Sequence, residues 1–309
     1  MPVPTTGCPV TPEQQFRLAG FLSDALGLAV ELREVVRLGT GRSRAMYKLT
    51  TTHGDRFVAR VEQGGIFGTH TADEVRCTTR LRDAGVPVAP VVASDEAGHV
   101  LGYPLFVMEF VEGVDTPAPP AVVDDFIRQL DNLHRLPNAG SLELSGRDQV
   151  DVWLERASVV DPSPLLLEGV AWLRANRPAH AIDTAPIHGD AGPGNFVHDG
   201  ERVLALTDWE FAHLGDPAED WVYLASDKGR GAMSQDDWRR RIEQLTGWSA
   251  SDDEWRYWDA LNVFKGACAN VTALPVFERG ITPRPDVLTV GTALHHVFLK
   301  RLVSIVHGV

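Results

Sequence analysis

Residues 187–225 read IHGDAGPGNFVHDGERVLALTDWEFAHLGDPAEDWVYLA, and no other stretch of the chain concentrates so much chemistry. It holds a carboxylate at Asp190, an amide oxygen five positions later at Asn195, and a second carboxylate, Asp208, that closes an apolar run. Metal-assisted phosphoryl transfer needs such a set: one carboxylate to take the proton of an attacking hydroxyl, and two oxygen donors to hold Mg²⁺ against nucleotide phosphates. Local chain geometry indicates how they meet. Phe196 to His198 and Val203 to Thr207 read as short apolar strands, and Asp199-Gly200 between them is a hairpin turn signal. Folding back on that turn returns Asp208 to the end of the hairpin where the loop from Asp190 to Asn195 lies. His-Gly-Asp alone is a common loop triplet, so the joint pattern carries the reading.

With these residues in view, HGDAGPGN followed by TDWE and LGDPAED resembles the catalytic core of the aminoglycoside phosphotransferase and choline kinase-like family. The spelling is nearest a branch of bacterial phosphotransferases that includes kinase domains fused to acyl-CoA dehydrogenases. The triplet from Asp208 to Glu210 stands where protein kinases carry Asp-Phe-Gly. The resemblance implies an α/β (α+β) bilobal protein kinase-like fold, with a small sheet-rich N-terminal lobe over the nucleotide and a larger helical lobe for the acceptor. It further implies Asp190 as catalytic base, Asn195 and Asp208 as Mg²⁺ ligands, and His188 and Asp220 as supports of the catalytic loop. ATP or GTP would be the phosphate donor.

Working towards the N-terminus, Thr11-Pro12-Glu13-Gln14 is a capping box with proline at the first helical position. Phe16, Ala19, Leu22 and Leu26 follow as its expected buried face, and Gly27 is expected to end the helix. Val35 to Leu38, then Gly39-Thr40-Gly41-Arg42-Ser43, then Met46 to Thr51 read as strand, glycine-rich turn, strand. In that geometry backbone N–H groups, with Gly39, Gly41 and Ser43, approach phosphates. The next strand, Arg56 to Val61, carries Arg60 in an apolar setting, where a cation would reach the α- and β-phosphates. Glu74, on a helix from about Thr71 to Ala84, is its candidate partner. Protein kinases have lysine at the strand position; arginine keeps the charge and adds a bidentate fork. The segment from Tyr103 to Gly113 resembles the hinge that joins kinase lobes. By that resemblance Met108 lines the base pocket, while the Glu109 carbonyl and Val111 N–H meet the base edge. DTPAPP, from Asp115 to Pro120, breaks the composition, so the lobes are expected at 1–113 and 114–309.

Beyond it the pattern turns helical. Val123, Phe126, Ile127, Leu130 and Leu133 form one stripe, beside which His134 reads as a satisfied core histidine. Ser234 with Asp237 and Ser251 with Glu254 are Ser-x-x-acid capping boxes, and Trp255, Trp258, Leu261 and Phe264 form a buried stripe. A last helix is expected from about Val287 to Val306; its adjacent His295 and His296 cannot easily share a metal. Arg239, Arg240 and Arg241 are a candidate basic patch, more often a solvated helix face.

Composition is that of an ordinary globular chain: 309 residues, 44% hydrophobic and 23% charged, ample for one bilobal unit. Three scattered cysteines, Cys8, Cys77 and Cys268, form no metal spacing and no disulfide framework, which fits a reducing cytoplasm. The start of the chain lacks a basic, apolar leader, and no uninterrupted apolar run approaches the ~20 residues that cross a bilayer, so no membrane partner is expected. A formal charge of −13 argues against nucleic acid. The expected partners are a nucleoside triphosphate and a hydroxylated small-molecule acceptor of the aminoglycoside, macrolide, nucleoside-antibiotic or sugar type. Two alternatives stand beside this: a hydroxyacyl-thioester kinase, and a nucleotide-binding pseudokinase module without turnover.

Overall fold

The computed structural model describes residues 10–39, 44–62, 66–115, 117–228, 233–282 and 284–308. Of the expected phosphate-loop residues, Gly41 and Ser43 lie outside these, as does Cys8; Gly39 is described and has φ +56°.

Helix α1 (Pro12–Leu26) opens on the expected capping box, with Thr11 Oγ1 accepting from the Gln14 N–H and Gln14 Oε1 from the Thr11 N–H, and Gly27 closes it in the left-handed region. Its buried face is the expected one only in part, at Leu22 and half-buried Ala19. Leu18 and Leu22 are fully buried whereas Phe16 is 80% exposed and Leu26 lies at the rim. Phe16 sits two positions, about 200°, from Leu18 and therefore points away from the sheet. The buried ridge is the i, i+4 pair beside the sheet, packed with Val30, Leu49 and Leu105 in one cluster.

The sheet consists of β1 (Leu32–Leu38), β2 (Arg44–Thr51), β3 (Arg56–Glu62), and, after helix α2 (Thr71–Asp83), β4 (Val91–Asp95) and β5 (Leu105–Glu109). The spatial order is β1-β2-β3-β5-β4 with every neighbour antiparallel. Central β3 is buried along its length apart from Arg56. Its register places Met46 opposite Arg60 and Phe106 opposite Arg60 on the other side.

The second half is helical: α3 (Pro120–His134), α4 (Gln149–Ala157) and α5 (Pro164–Asn176) precede four short strands, β6 (Ala185–Ile187), β7 (Phe196–His198), β8 (Val203–Leu206) and β9 (His213–Gly215). β7 pairs with β8 as the expected hairpin, and β6 pairs with β9. Helices α6 (Ala218–Tyr223), α7 (Gln235–Thr246), α8 (Asp252–Val271), α9 (Ala273–Glu278), α10 (Pro285–Thr289) and α11 (His295–His307) complete the fold. The Trp255, Trp258, Leu261 and Phe264 stripe is buried in the main core, and His134 is buried as expected.

One expectation on this half is corrected. Ser251 and Glu254 form a reciprocal capping box, but at α7 only Ser234 caps; Asp237 instead accepts the Ser234 hydroxyl, its shorter side chain not reaching back to the backbone. The last helix runs without a break from Pro285 to His307, as expected, with one irregular turn inside it. This π-helical turn, Val290–Leu294, joins α10 to α11, and in it Gly291 packs so closely on α9 that a Cβ would lie 2.6 Å from the Leu274 nitrogen. By length and overall composition Asp252–Glu278 is apolar enough to cross a membrane, though charged residues such as Lys265 interrupt it. However, 78% of its apolar window is buried inside the fold, as befits a core helix.

Candidate functional site

The residues from His188 to Asn195 form the loop between β6 and β7. Three N–H groups in a row are handled by two side chains. Buried Asp220 on α6 accepts from the His188 N–H at 2.8 Å and the Gly189 N–H at 2.9 Å, and His188 Nδ1 accepts from the Asp190 N–H at 3.3 Å. His188 Nε2 faces the Thr207 carbonyl at 2.9 Å, so it carries the ring proton and Nδ1 is the acceptor. The ring also stacks on Trp209, 4.5 Å between centroids. Asp220 accepts in addition from His134 Nε2 at 2.9 Å. Burial would raise the Asp220 carboxyl, but the hydrogen bond and charge of His134 hold it below the ordinary carboxylate range.

Gly189 has φ +81°, and a Cβ there would lie 2.5 Å from the Phe211 carbonyl oxygen. Both the backbone and the neighbour demand glycine in this triplet. Gly189→Ala is expected to destabilise the fold by roughly 1–3 kcal/mol from backbone strain alone, and to displace Asp190; a chemical-denaturation midpoint equal to wild type would refute this.

Asp190 is half-buried, and its carboxylate is held at both oxygens. Asn195 Nδ2 donates to Asp190 Oδ2 at 2.5 Å and to the Asp190 carbonyl at 2.7 Å, and the Tyr223 hydroxyl donates to Oδ1 at 2.5 Å. With its amide hydrogens directed at Asp190, Asn195 turns its oxygen the other way. The Thr207 N–H reaches the Asn195 carbonyl at 2.9 Å, which brings Asp208 to the base of the hairpin beside the loop. Asp208 has φ +69°, a left-handed conformation that aspartate tolerates better than most residues.

Across from the loop, Arg60 and Glu74 are in contact. Arg60 Nη2 lies 2.8 Å from Glu74 Oε1 and 2.8 Å from Asp208 Oδ1. Burial alone would depress the guanidinium, yet the charges of Glu74 and Asp208 outweigh it and leave Arg60 firmly protonated. The network extends further than the sequence reading foresaw. Arg44 on β2 is 3.5 Å from Glu74 and 3.9 Å from Glu210, while the Thr69 hydroxyl donates to Glu210 at 2.8 Å. Two arginines thus face three carboxylates in one buried cluster. Burial first, and then the charge of Asp208, push Glu210 up to about 7 against the pull of Arg44.

Arg44, Glu210 and Tyr223 were missed by sequence reasoning. Arg44 lies on the same strand face as Met46, the residue opposite Arg60, so alternation would have found it. Tyr223 is three residues beyond Asp220 on one helix, the spacing that shares a face. Met108 is half-buried at the end of β5, with exposed Glu109 and half-buried Val111 following, and the Glu109 N–H is taken by the Pro90 carbonyl at 2.9 Å. The arginine patch on α7 is not a patch: Arg239, Arg240 and Arg241 pair with Asp252, Asp237 and Asp124. His295 and His296 turn their Nδ1 atoms to separate backbone carbonyls, of Ala267 and Thr292.

Comparison with known proteins bears on the family and the fold. The model of APH, the phosphotransferase enzyme family, matches residues 34–261. Among curated proteins, mouse (Mus musculus) acyl-CoA dehydrogenase family member 10 is 27% identical over 213 residues, covering 62% of this chain but only 20% of that protein. The chain therefore spans about a fifth of the length of this relative. Among solved structures, the choline kinase LicA from Streptococcus pneumoniae superposes with TM-score 0.68 at 17% identity, covering 93% of this chain and 98% of that one. A thermostable mutant of the aminoglycoside phosphotransferase APH(4)-Ia, in ternary complex with AMP-PNP and hygromycin B, gives TM-score 0.64 at 15% identity over 94% and 97% of the two chains. The fold is accordingly kinase-like, α/β, with a sheet-rich N-terminal part and a helical C-terminal part.

Proposed function

The chain belongs to the phosphotransferase enzyme family, and from that premise we propose that it transfers the γ-phosphate of ATP or GTP to a hydroxyl of a small molecule. One observation carries the reading: a carboxylate fixed at both oxygens, Asp190, stands beside a buried cluster in which Arg60 bridges Glu74 and Asp208. The first is the group an attacking hydroxyl needs, and the second is a cation held for phosphate.

The donor set suits Mg²⁺. Asn195 and Asp208 offer hard oxygen ligands, and this ion is held by one or two protein oxygens plus substrate phosphates rather than by a protein cage. When bound, the metal neutralises charge on the phosphate oxygens. The chain's own residues do the rest. Asp190 orients the acceptor hydroxyl and takes its proton, and Asn195 keeps the Asp190 carboxylate in place. Arg60, oriented by Glu74, faces the α- and β-phosphates; its Nε is buried without a hydrogen-bond partner among the described residues. Gly39, Gly41 and Ser43 would offer backbone donors to the phosphates, and Met108, Glu109 and Val111 would receive the base. His188 and Asp220 keep the loop in shape.

For the acceptor, an aminoglycoside-, antibiotic- or sugar-like alcohol is the first choice. A hydroxyacyl thioester is the second, favoured by the similarity to part of acyl-CoA dehydrogenase family member 10. With α7 neutralised by ion pairs, an anionic thioester would need another basic surface. A catalytically silent nucleotide sensor is disfavoured because Asp190, Asn195 and Asp208 are all present.

Mg²⁺ and nucleoside triphosphate together are expected to raise the melting temperature more than the sum of their separate effects, by about 2.7 kcal/mol of added stability at 100-fold excess over the dissociation constant. Differential scanning fluorimetry with ATP and GTP reads this directly. No stabilisation by either nucleotide at millimolar concentration would remove both the kinase and the sensor readings. A nucleotide-consumption screen over hydroxylated acceptors then separates those two.

A further inference from the structure

Helix α6 grips the catalytic loop at three consecutive residues. Asp220 takes the N–H groups of His188 and Gly189 at 2.8 and 2.9 Å, and one turn later the Tyr223 hydroxyl donates to Asp190 Oδ1 at 2.5 Å. The helix itself is fixed from behind. Buried Glu219 meets His213 Nε2 at 3.1 Å and the Lys265 ammonium, and its carbonyl accepts from Asn262 Nδ2 at 2.9 Å. Burial would raise the Glu219 carboxyl, but the charges of His213 and Lys265 hold it down at about 2.

We propose that Tyr223 is a positioning residue for the Asp190 base and sets the rate of phosphate transfer without contributing to nucleotide affinity; this rests on the phosphotransfer reading above. A carboxylate without a donor at Oδ1 turns more freely about its Cβ–Cγ bond. Held by Asn195 at Oδ2 and by Tyr223 at Oδ1, it keeps one plane, and its basic lone pairs keep one direction relative to the incoming hydroxyl. The donor is a phenol and so brings no charge. An ammonium or guanidinium in its place would orient the carboxylate equally well but weaken it as a proton acceptor. Tyr223 comes from a different element than Asn195, so the base is triangulated between the loop and α6. Its partner is the acceptor-side group, whereas Arg60, Glu74 and Asp208 form the phosphate side, and this division is what separates rate from affinity.

Tyr223→Phe keeps the ring and removes only the donor. Titration calorimetry of Mg–ATP into the variant is expected to give wild-type affinity. ADP release, with water or the best alcohol from the screen as acceptor, is expected to fall about 10- to 100-fold in kcat with KM unchanged, the scale set by misorienting a reacting group. In the Asp190→Asn background the same substitution is expected to have no further effect. Equal kcat for Tyr223→Phe and wild type overturns the proposal, as does an equal fractional loss in both backgrounds, which would mark a merely structural role. If Asp190→Asn itself retains wild-type turnover, or if the wild-type protein binds Mg–ATP and releases no ADP, the phosphotransfer reading fails and the proposal falls with it.

Discussion

Asp190→Asn is expected to lower phosphate transfer by about 10²- to 10⁴-fold, the usual loss on removing a general base, with Mg–nucleotide affinity unchanged. The amide has the shape of the carboxylate but no lone pair basic enough for the hydroxyl proton. The surroundings fix how it would sit. Two donors meet the wild-type carboxylate, Asn195 Nδ2 at one oxygen and the Tyr223 hydroxyl at the other. The new amide oxygen would face Asn195, and its NH₂ group would face Tyr223, whose hydroxyl can rotate to accept. The fold should therefore be preserved, and the loss should lie in kcat. Initial-rate ADP release together with titration calorimetry checks both halves. A variant with wild-type turnover on the true acceptor would show that another group takes the proton.

Arg60→Met is expected to have the second large effect, on stability and affinity together. Arg60 is 4% exposed and joins Glu74 to Asp208. Removing one partner of a buried ion pair leaves the other uncompensated, at a cost on the order of 3–5 kcal/mol. Arg44 at 3.5 Å from Glu74 would limit that cost towards the lower end. The loss of charge-assisted bonds to phosphate should weaken Mg–nucleotide binding roughly 10- to 100-fold, from about 1.5–3 kcal/mol per such bond. Arg60→Lys should keep part of the affinity, since a point charge survives where the fork is lost. Combining Arg60→Met with Glu74→Leu should restore part of the stability and none of the affinity. Thermal melts and calorimetry on the three variants distinguish these. Wild-type affinity in Arg60→Met would reduce Arg60 to a structural ion pair.

What the sequence revealed depended on whether a contact is local. The hairpin from Phe196 to Leu206 and the caps at Thr11 and Ser251 are set by neighbours within a few residues, and their signals stand in the chain. The contact of Arg60 with Glu74 is longer in range, yet it was legible through the family resemblance in the order of strand and helix. Burial direction was harder. The α1 stripe was assigned to Phe16 because a hydrophobic helix face does not say which side the sheet lies on. The arginines of α7 looked like a patch because their carboxylate partners include Asp124, distant in sequence. Arg44 and Glu210 escaped because each touches Glu74 or Arg44 only after sheet, helix and hairpin have come together. The π-helical turn before α11 arises from contact with α9, a tertiary cause that leaves no periodic trace.

The β7–β8 ribbon, at whose base Asn195 and Asp208 stand, has both of its outer edges occupied. Val114 exchanges two backbone hydrogen bonds with His198, at 2.9 and 2.8 Å, on the β7 side. On the β8 side the Leu206 N–H reaches the Pro87 carbonyl at 2.7 Å. A ribbon of three and four residues has no independent stability. It persists because segments next to β4 and β5, neighbouring strands at one end of the five-stranded sheet, close over it, one following α2 and one following β5. Neither edge offers a template to a second chain. The ribbon is thus tied to the rest of the fold on both sides, so Asn195 and Asp208 should lose their placement only in global denaturation, and heat should abolish activity and structure in a single step.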